Sequence, residues 1–204
     1  MKKEIKKGII MGVLLATVLF SAIKITENLT RTTTLSGITV NTVFTEAEQT
    51  QLKNTIWEQL GEGHTPGDIH IAQVQLEPFL TVQDLNGINY QALQGILSLN
   101  HSQELDFAVM DQTALDILMQ QDIFMDIRKF LNHEEQARWN ENYIFVLAEE
   151  GADAKPVALD VTQLPLFQNM AEHGSVYFAV MDKTVRKESC QVFWQVICNW
   201  EAVE

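Results

Sequence analysis

Apolar and polar positions repeat along this chain with two periods, and the switches between them mark out the elements. Residues 37–44 (GITVNTVF) are rich in β-branched side chains and read as a strand. They run into Thr45-Glu46-Ala47-Glu48, a capping box with its hydroxyl three residues ahead of its carboxylate. The helix opened there places Leu52, Ile56 and Leu60 on one stripe and stops at Gly61. In residues 68–75, Ile69, Ile71 and Gln73 alternate with His70 and Ala72, the pattern of an edge or second strand. A loop with Pro78 and Asn86-Gly87 leads to a second helix burying Ala92, Leu93, Ile96 and Leu97.

Residues 105–110 (LDFAVM) are apolar except for Asp106, which suits a central parallel strand covered on both faces. Asp111 caps a third helix carrying Leu115, Ile117 and Leu118. A short segment, 123–131, and a polar helix around 133–138 follow. Residues 143–148 and 156–161 read as strands joined by a turn at 150–153, a hairpin. Residues 175–181 form another apolar strand, and 184–200 close the chain as a helix with Cys190, Phe193, Ile197 and Trp200 at helical spacing. Strands alternating with helices predict right-handed βαβ units in an α/β, three-layer fold with a mostly parallel sheet, made mixed by the hairpin. The sequence has no internal repeat and no low-complexity tract.

The first thirty residues follow another rule. Lys2, Lys3, Lys6 and Lys7 precede a run from Gly8 to Ile23 with no charged residue, which Lys24 closes. As a helix this run is about 24 Å long, slightly short of a hydrocarbon core of about 30 Å, and Lys7 and Lys24 can snorkel to the interfaces. The positive flank predicts a cytoplasmic N-terminus and an extracytoplasmic body. The competing reading is a cleaved signal peptide, whose best cleavage site, Phe20-Ser21-Ala22, puts Phe where a small residue belongs. The expected organisation is a basic start, transmembrane anchor and tether over 1–30, then an extracytoplasmic domain over 31–204.

Charge sharpens that division. The net charge is −13, yet from Arg31 onward nine Lys/Arg face twenty-five Asp/Glu. A body this acidic repels phosphate backbones, which excludes nucleic acid as an expected partner. Cations, basic partners and neutral ligands stay open, as does plain solubility. Cys190 and Cys198 stand eight residues apart on one predicted helix, about 12 Å at 1.5 Å per residue. A disulfide needs Cα atoms within about 7 Å, so these two read as buried apolar thiols. Asn28-Leu29-Thr30 and Asn100-His101-Ser102 match the glycosylation acceptor pattern, which has meaning only in a eukaryotic secretory pathway.

Residues 105–131 (LDFAVMDQTALDILMQQDIFMDIRKFL) combine a buried strand with Asp second, an acidic turn, a short helix and a hydrophobic return. This order is similar to the first lobe of extracellular solute-binding proteins of ABC transporters. Residues 158–167 (ALDVTQLPLF) and the closing strand and helix resemble small anchored bacterial relatives of the same fold. The resemblance covers about half the body and implies a periplasmic-binding-protein-like single lobe. Solute-binding proteins of that kind hold ligand between two lobes and run to about twice this length. A body of this size supplies one lobe, which brings in a protein partner as an alternative to a ligand cleft.

Local chemical motifs do not point to a reaction. Residues 61–67 (GEGHTPG) look like a phosphate loop but lie between helix and strand, contain Pro66 and lack the lysine, so they read as a turn. His133-Glu134-Glu135 lacks the second histidine four residues on that a zinc helix needs. No Gly-x-Ser-x-Gly elbow occurs, and neither cysteine has a nearby histidine. What remains is topology: ligands of open α/β sheets bind beyond the carboxyl ends of the strands. Those ends predict a ligand site from Thr45, Asp111, Gln112, Asp182 and Lys183. Asp111 and Asp182 together would take a cation or amine, beside Thr45 and Gln112. The competing role of Thr45 and Asp111 is helix capping alone.

The expectation is a non-catalytic, membrane-anchored binding or accessory domain, solute-binding-like, with no metal or cofactor. Its expected partners are a small solute or peptide and a membrane protein or transporter. The alternatives are a scaffold subunit of a membrane complex and a metal-dependent enzyme built on Asp111, Asp182 and scattered histidines.

Overall fold

A computed structural model of the chain describes residues 33–77, 88–146, 154–168 and 174–201. Residues 34–204 make one compact unit. The expected membrane anchor over 1–30 lies outside the described residues, and among those described no helix is long and apolar enough to cross a membrane.

Six strands form one mixed sheet: β1 (Leu35–Val40), β2 (Ile69–Val74), β3 (Phe107–Met110), β4 (Tyr143–Val146), β5 (Lys155–Asp160) and β6 (Tyr177–Val180). Their order is β2-β1-β3-β6-β5-β4. Among the described residues five α-helices accompany them: α1 (Glu46–Leu60), α2 (Ile88–His101), α3 (Gln112–Met119), α4 (His133–Trp139) and α5 (Lys187–Cys198). The α/β class and the mixed sheet are as expected. The expectation of a mostly parallel sheet is corrected, because β1 pairs in parallel with β2 and β3 while β3–β6, β6–β5 and β5–β4 are all antiparallel. Between β5 and β6 the described chain holds only the 3₁₀ turn Pro165–Phe167. The described part of that connection supplies no crossover helix, and β6 pairs antiparallel with the neighbour on either side.

Alternation along the strands divides the core between two faces. Phe107, Val109, Phe178 and Val180 point to one face, where Leu52 and Ile56 of α1, Trp139 of α4 and Phe193, Trp194 and Ile197 of α5 cover them. Ala108, Met110, Tyr177 and Ala179 point to the other, against Leu93 and Ile96 of α2 and Leu115 and Leu118 of α3. Helices on both faces make the expected three layers. On the first face Phe107 stacks on Phe193 at 3.9 Å between ring centroids, and Phe178 stacks on Trp194 at 5.1 Å. Each such side chain, fully buried, contributes roughly 1.5–3 kcal/mol. Gly37 of β1 lies under Phe107, and a Cβ there would come within 2.1 Å of the ring. A strand position that touches a ring this closely has room only for glycine.

The capping boxes form where the residue order places them. Thr45 Oγ1 accepts from the Glu48 amide at 3.2 Å, and Glu48 accepts from the Thr45 amide at 2.7 Å. Asn132 and Glu135 make the same exchange at α4. Asp126 caps the turn at Ile127–Lys129, and the Arg128 guanidinium bonded to it holds its carboxyl below the usual carboxylate range. Both cysteines are free, as their spacing predicts. Burial pushes the Cys190 thiol well up, and the Cys198 thiol up to about 12.

Candidate functional site

The strand order reverses at β1. From it the chain passes to β2 on one side and then returns to β3 on the other. In open α/β sheets the crevice outside the carboxyl ends at such a reversal is where ligands bind. The helices entered from the two strands reinforce the opening, since α1 packs on one face and α3 on the other.

Asn41 and Asp111 meet just beyond the carboxyl ends of β1 and β3. Asn41 follows β1 in the left-handed region, with φ of 57°, a conformation asparagine tolerates better than most residues. Its side chain is held on both sides: Oδ1 accepts from the Leu76 amide and Nδ2 donates to the Leu76 carbonyl, each at 2.7 Å. The same Nδ2 donates to the Asp111 carboxylate at 3.1 and 3.2 Å. Asp111 also accepts from the Ala114 amide at 2.8 Å, capping α3, where the helix dipole favours its negative charge. Next to it Gln112 accepts a hydrogen bond from the Tyr177 hydroxyl at 2.5 Å and donates to Asp116 at 2.7 Å. Tyr177 begins β6, directly opposite Met110 on one side and Asp160 on the other. At this end Asp160 accepts from Thr162.

The predicted site therefore divides. Asp111 and Gln112 stand together beyond the carboxyl end of β3. Thr45 stands on the loop leading from β1, engaged in its own capping box. Asp182 and Lys183 are not there. Because β6 runs antiparallel to β3, with Val180 opposite Phe107, its carboxyl end lies at the other end of the sheet. Six residue levels along a strand separate Asp182 from Asp111, about 20 Å. A cation shared by the two carboxylates is ruled out by that geometry, and with it the metal enzyme built on the pair. Asp182 instead accepts from Asn100 at 2.9 Å and pairs with Lys183 at 3.0 Å. Among the described residues no group of three or more His, Cys, Asp or Glu is placed to hold a metal. Asn41 and Tyr177 went unmarked by the sequence reading. An asparagine directly after a β-branched strand is the signal that points to the first. No local signal points to the second, because its place depends on the antiparallel pairing of β6 with β3.

The remaining polar candidates have structural places. Residues 61–67 are the turn expected, with Gly61 and Gly63 at φ of 82° and 98°, and Trp57 Nε1 donates to the His64 carbonyl. Glu135 serves its capping box and also accepts from Trp194 Nε1 at 3.0 Å. Asn100 is 4% exposed inside the fold, which removes it as a glycosylation acceptor. Asn28 lies outside the described residues. A groove of about 490 Å³ runs between α1 and α5, lined by Gln51, Thr55, Gln59, Asn199 and Trp200 among others. It lies along these two helices and includes none of the predicted site residues.

At the opposite end of the sheet, Asp106 is completely buried and is the centre of a polar knot. It accepts from the Ser36 amide at 2.7 Å, Thr184 Oγ1 at 2.6 Å and Arg186 Nε at 2.8 Å. Arg186 also reaches the Gln103 carbonyl. The knot ties the starts of β1 and β3 to the segment that enters α5, and every oxygen of the carboxylate is engaged. Its chemistry is that of a cross-brace.

No protein-family model matches this chain, nor does any curated protein or any solved structure.

Proposed function

We propose that the protein is a membrane-anchored, extracytoplasmic binding or accessory domain, solute-binding-like and non-catalytic, that takes its ligand at the crevice between β1 and β3. The observation that carries this reading is the Asn41–Asp111 pair at the reversal of strand order, with Gln112 and Tyr177 beside it. A carboxylate held by an amide and a helix start, next to an exposed glutamine, offers acceptors to an amine or a hydroxyl-rich solute. The charge balance supports a cationic or neutral ligand over an anionic one. The lysines ahead of the apolar run over 8–23 support the anchored placement.

The test is thermal denaturation of the purified full chain against amino acids, polyamines, sugars and short peptides. A solute at about a hundred times its Kd adds roughly 2.7 kcal/mol, a rise in Tm of several degrees for a domain this size. Asp111→Asn keeps the helix cap and is expected to erase the rise at unchanged starting Tm. Gln112→Ala also strips the Tyr177 hydroxyl of its acceptor and is expected to erase the rise from a lower starting Tm. Turnover of a solute by the protein, or a rise that survives both substitutions, overturns the reading.

A further inference from the structure

The sheet ends on β4, a short strand without the charges or proline that keep many sheet edges from pairing with other chains. Its residues are Tyr143, Ile144, Phe145 and Val146, with no lysine, no inward charge and no proline among them. Its backbone bonds run to β5, and among the described residues none runs from its other side. Phe145 is 48% exposed, an unusual position for a phenylalanine on a rim. The other edge differs: β2 interleaves His70 and Gln73 with its apolar residues, and Gln73 is tied back to the Phe44 carbonyl. The register shifts between Ile144 and Phe145 because β5 carries the extra residue, Val157, next to Pro156, which has no amide hydrogen to give.

We propose that β4 is a docking edge for an extended, neutral-to-basic segment of another protein, which joins the sheet as an additional strand. Charge selects this occupant. From Arg31 onward the chain carries twenty-five acidic against nine basic residues, and Glu141 stands exposed just ahead of β4. A second copy brings the same negative surface to the edge. A basic segment is drawn in by the field and needs only main-chain pairing plus contact with Phe145. This site is independent of the crevice at β1 and β3.

The probe is a fluorescent peptide of alternating threonine and valine flanked by lysines, followed by anisotropy with the full chain. A glutamate-flanked twin and a twin with alternate amides N-methylated serve as controls. The basic probe is expected to bind at least about tenfold tighter than either twin. Phe145→Lys and Phe145→Thr are each expected to weaken it about tenfold at unchanged Tm. Val185→Lys adds the same charge at another exposed apolar residue and is expected to leave binding nearly as it was. Equal binding of the N-methylated probe, equal loss with Val185→Lys, or no binding of the basic probe overturns the proposal. So does self-association of the full chain that Phe145→Lys abolishes, since the edge is then taken by a second copy.

Discussion

Asp106→Ala is expected to be the most damaging single polar substitution in the described fold. The carboxylate is inaccessible to solvent and takes three donors: the Ser36 amide, the Thr184 hydroxyl and Arg186 Nε. Alanine leaves all three without their acceptor, and each buried donor left unmade costs about 1–3 kcal/mol. The Arg186 side chain is 19% exposed, so water recovers part of its share. Loss of one partner from a buried pair costs about 3–5 kcal/mol, and that range is the expected total. For a domain of this length it lowers Tm by about 10 °C. The assay is urea unfolding of the full chain followed by tryptophan fluorescence, since Trp139 and Trp194 are core residues that report loss of packing. The midpoint is expected to fall at unchanged slope. A cycle with Arg186→Ala and the double variant is expected to show coupling of about 1–3 kcal/mol. Added salt should change that coupling little, because Debye screening acts weakly on a buried pair. A cost for Asp106→Ala below about 1 kcal/mol, or additive single and double variants, would refute the cross-brace.

Three further outcomes follow from the core and the caps. Gly37→Ala drives a methyl group into the Phe107 ring and is expected to cost about 1–3 kcal/mol by overpacking; a simultaneous Phe107→Leu should recover part of it in the same urea assay. Cys190 and Cys198 both titrate far above neutrality because of burial, so neither is expected to react with a thiol reagent at pH 7.5 to 8 in the native protein, and both should react once it is unfolded. Asp126→Asn keeps the cap but removes the charge beside Arg128. The folded carboxyl titrates below its unfolded value, so its contribution is present above about pH 4 and disappears as pH falls through the folded pKa. Arg128 is half exposed, so the loss at neutral pH is expected to stay under about 1 kcal/mol and to vanish at low pH in urea titrations of the two proteins; an equal loss at both pH values counts against the ion pair.

The sequence alone determined the elements and the faces they bury. Thr45 with Glu48 and Asp111 ahead of α3 are local signals, and local hydrogen bonds make them true wherever the helix is placed. The apolar runs in β3 and β6 implied strands covered on both faces, and the hairpin of β4 and β5 followed from two strand patterns around a turn. The free cysteines followed from helical rise alone. Strand direction is another matter. A run such as Tyr177-Phe178-Ala179-Val180 buries the same faces whichever way it runs, so its periodicity carries no direction. Direction was decided by the neighbours it found, since β6 pairs antiparallel with both β3 and β5. That one fact moved Asp182 and Lys183 to the far end of the sheet and brought Tyr177 to Gln112. Likewise Asp106 read as a lone acid in a strand, and only packing assembled Ser36, Thr184 and Arg186, up to eighty residues away, around it. Tertiary structure decides such sites because their partners are distant in sequence, and no local pattern records which distant strand lies alongside.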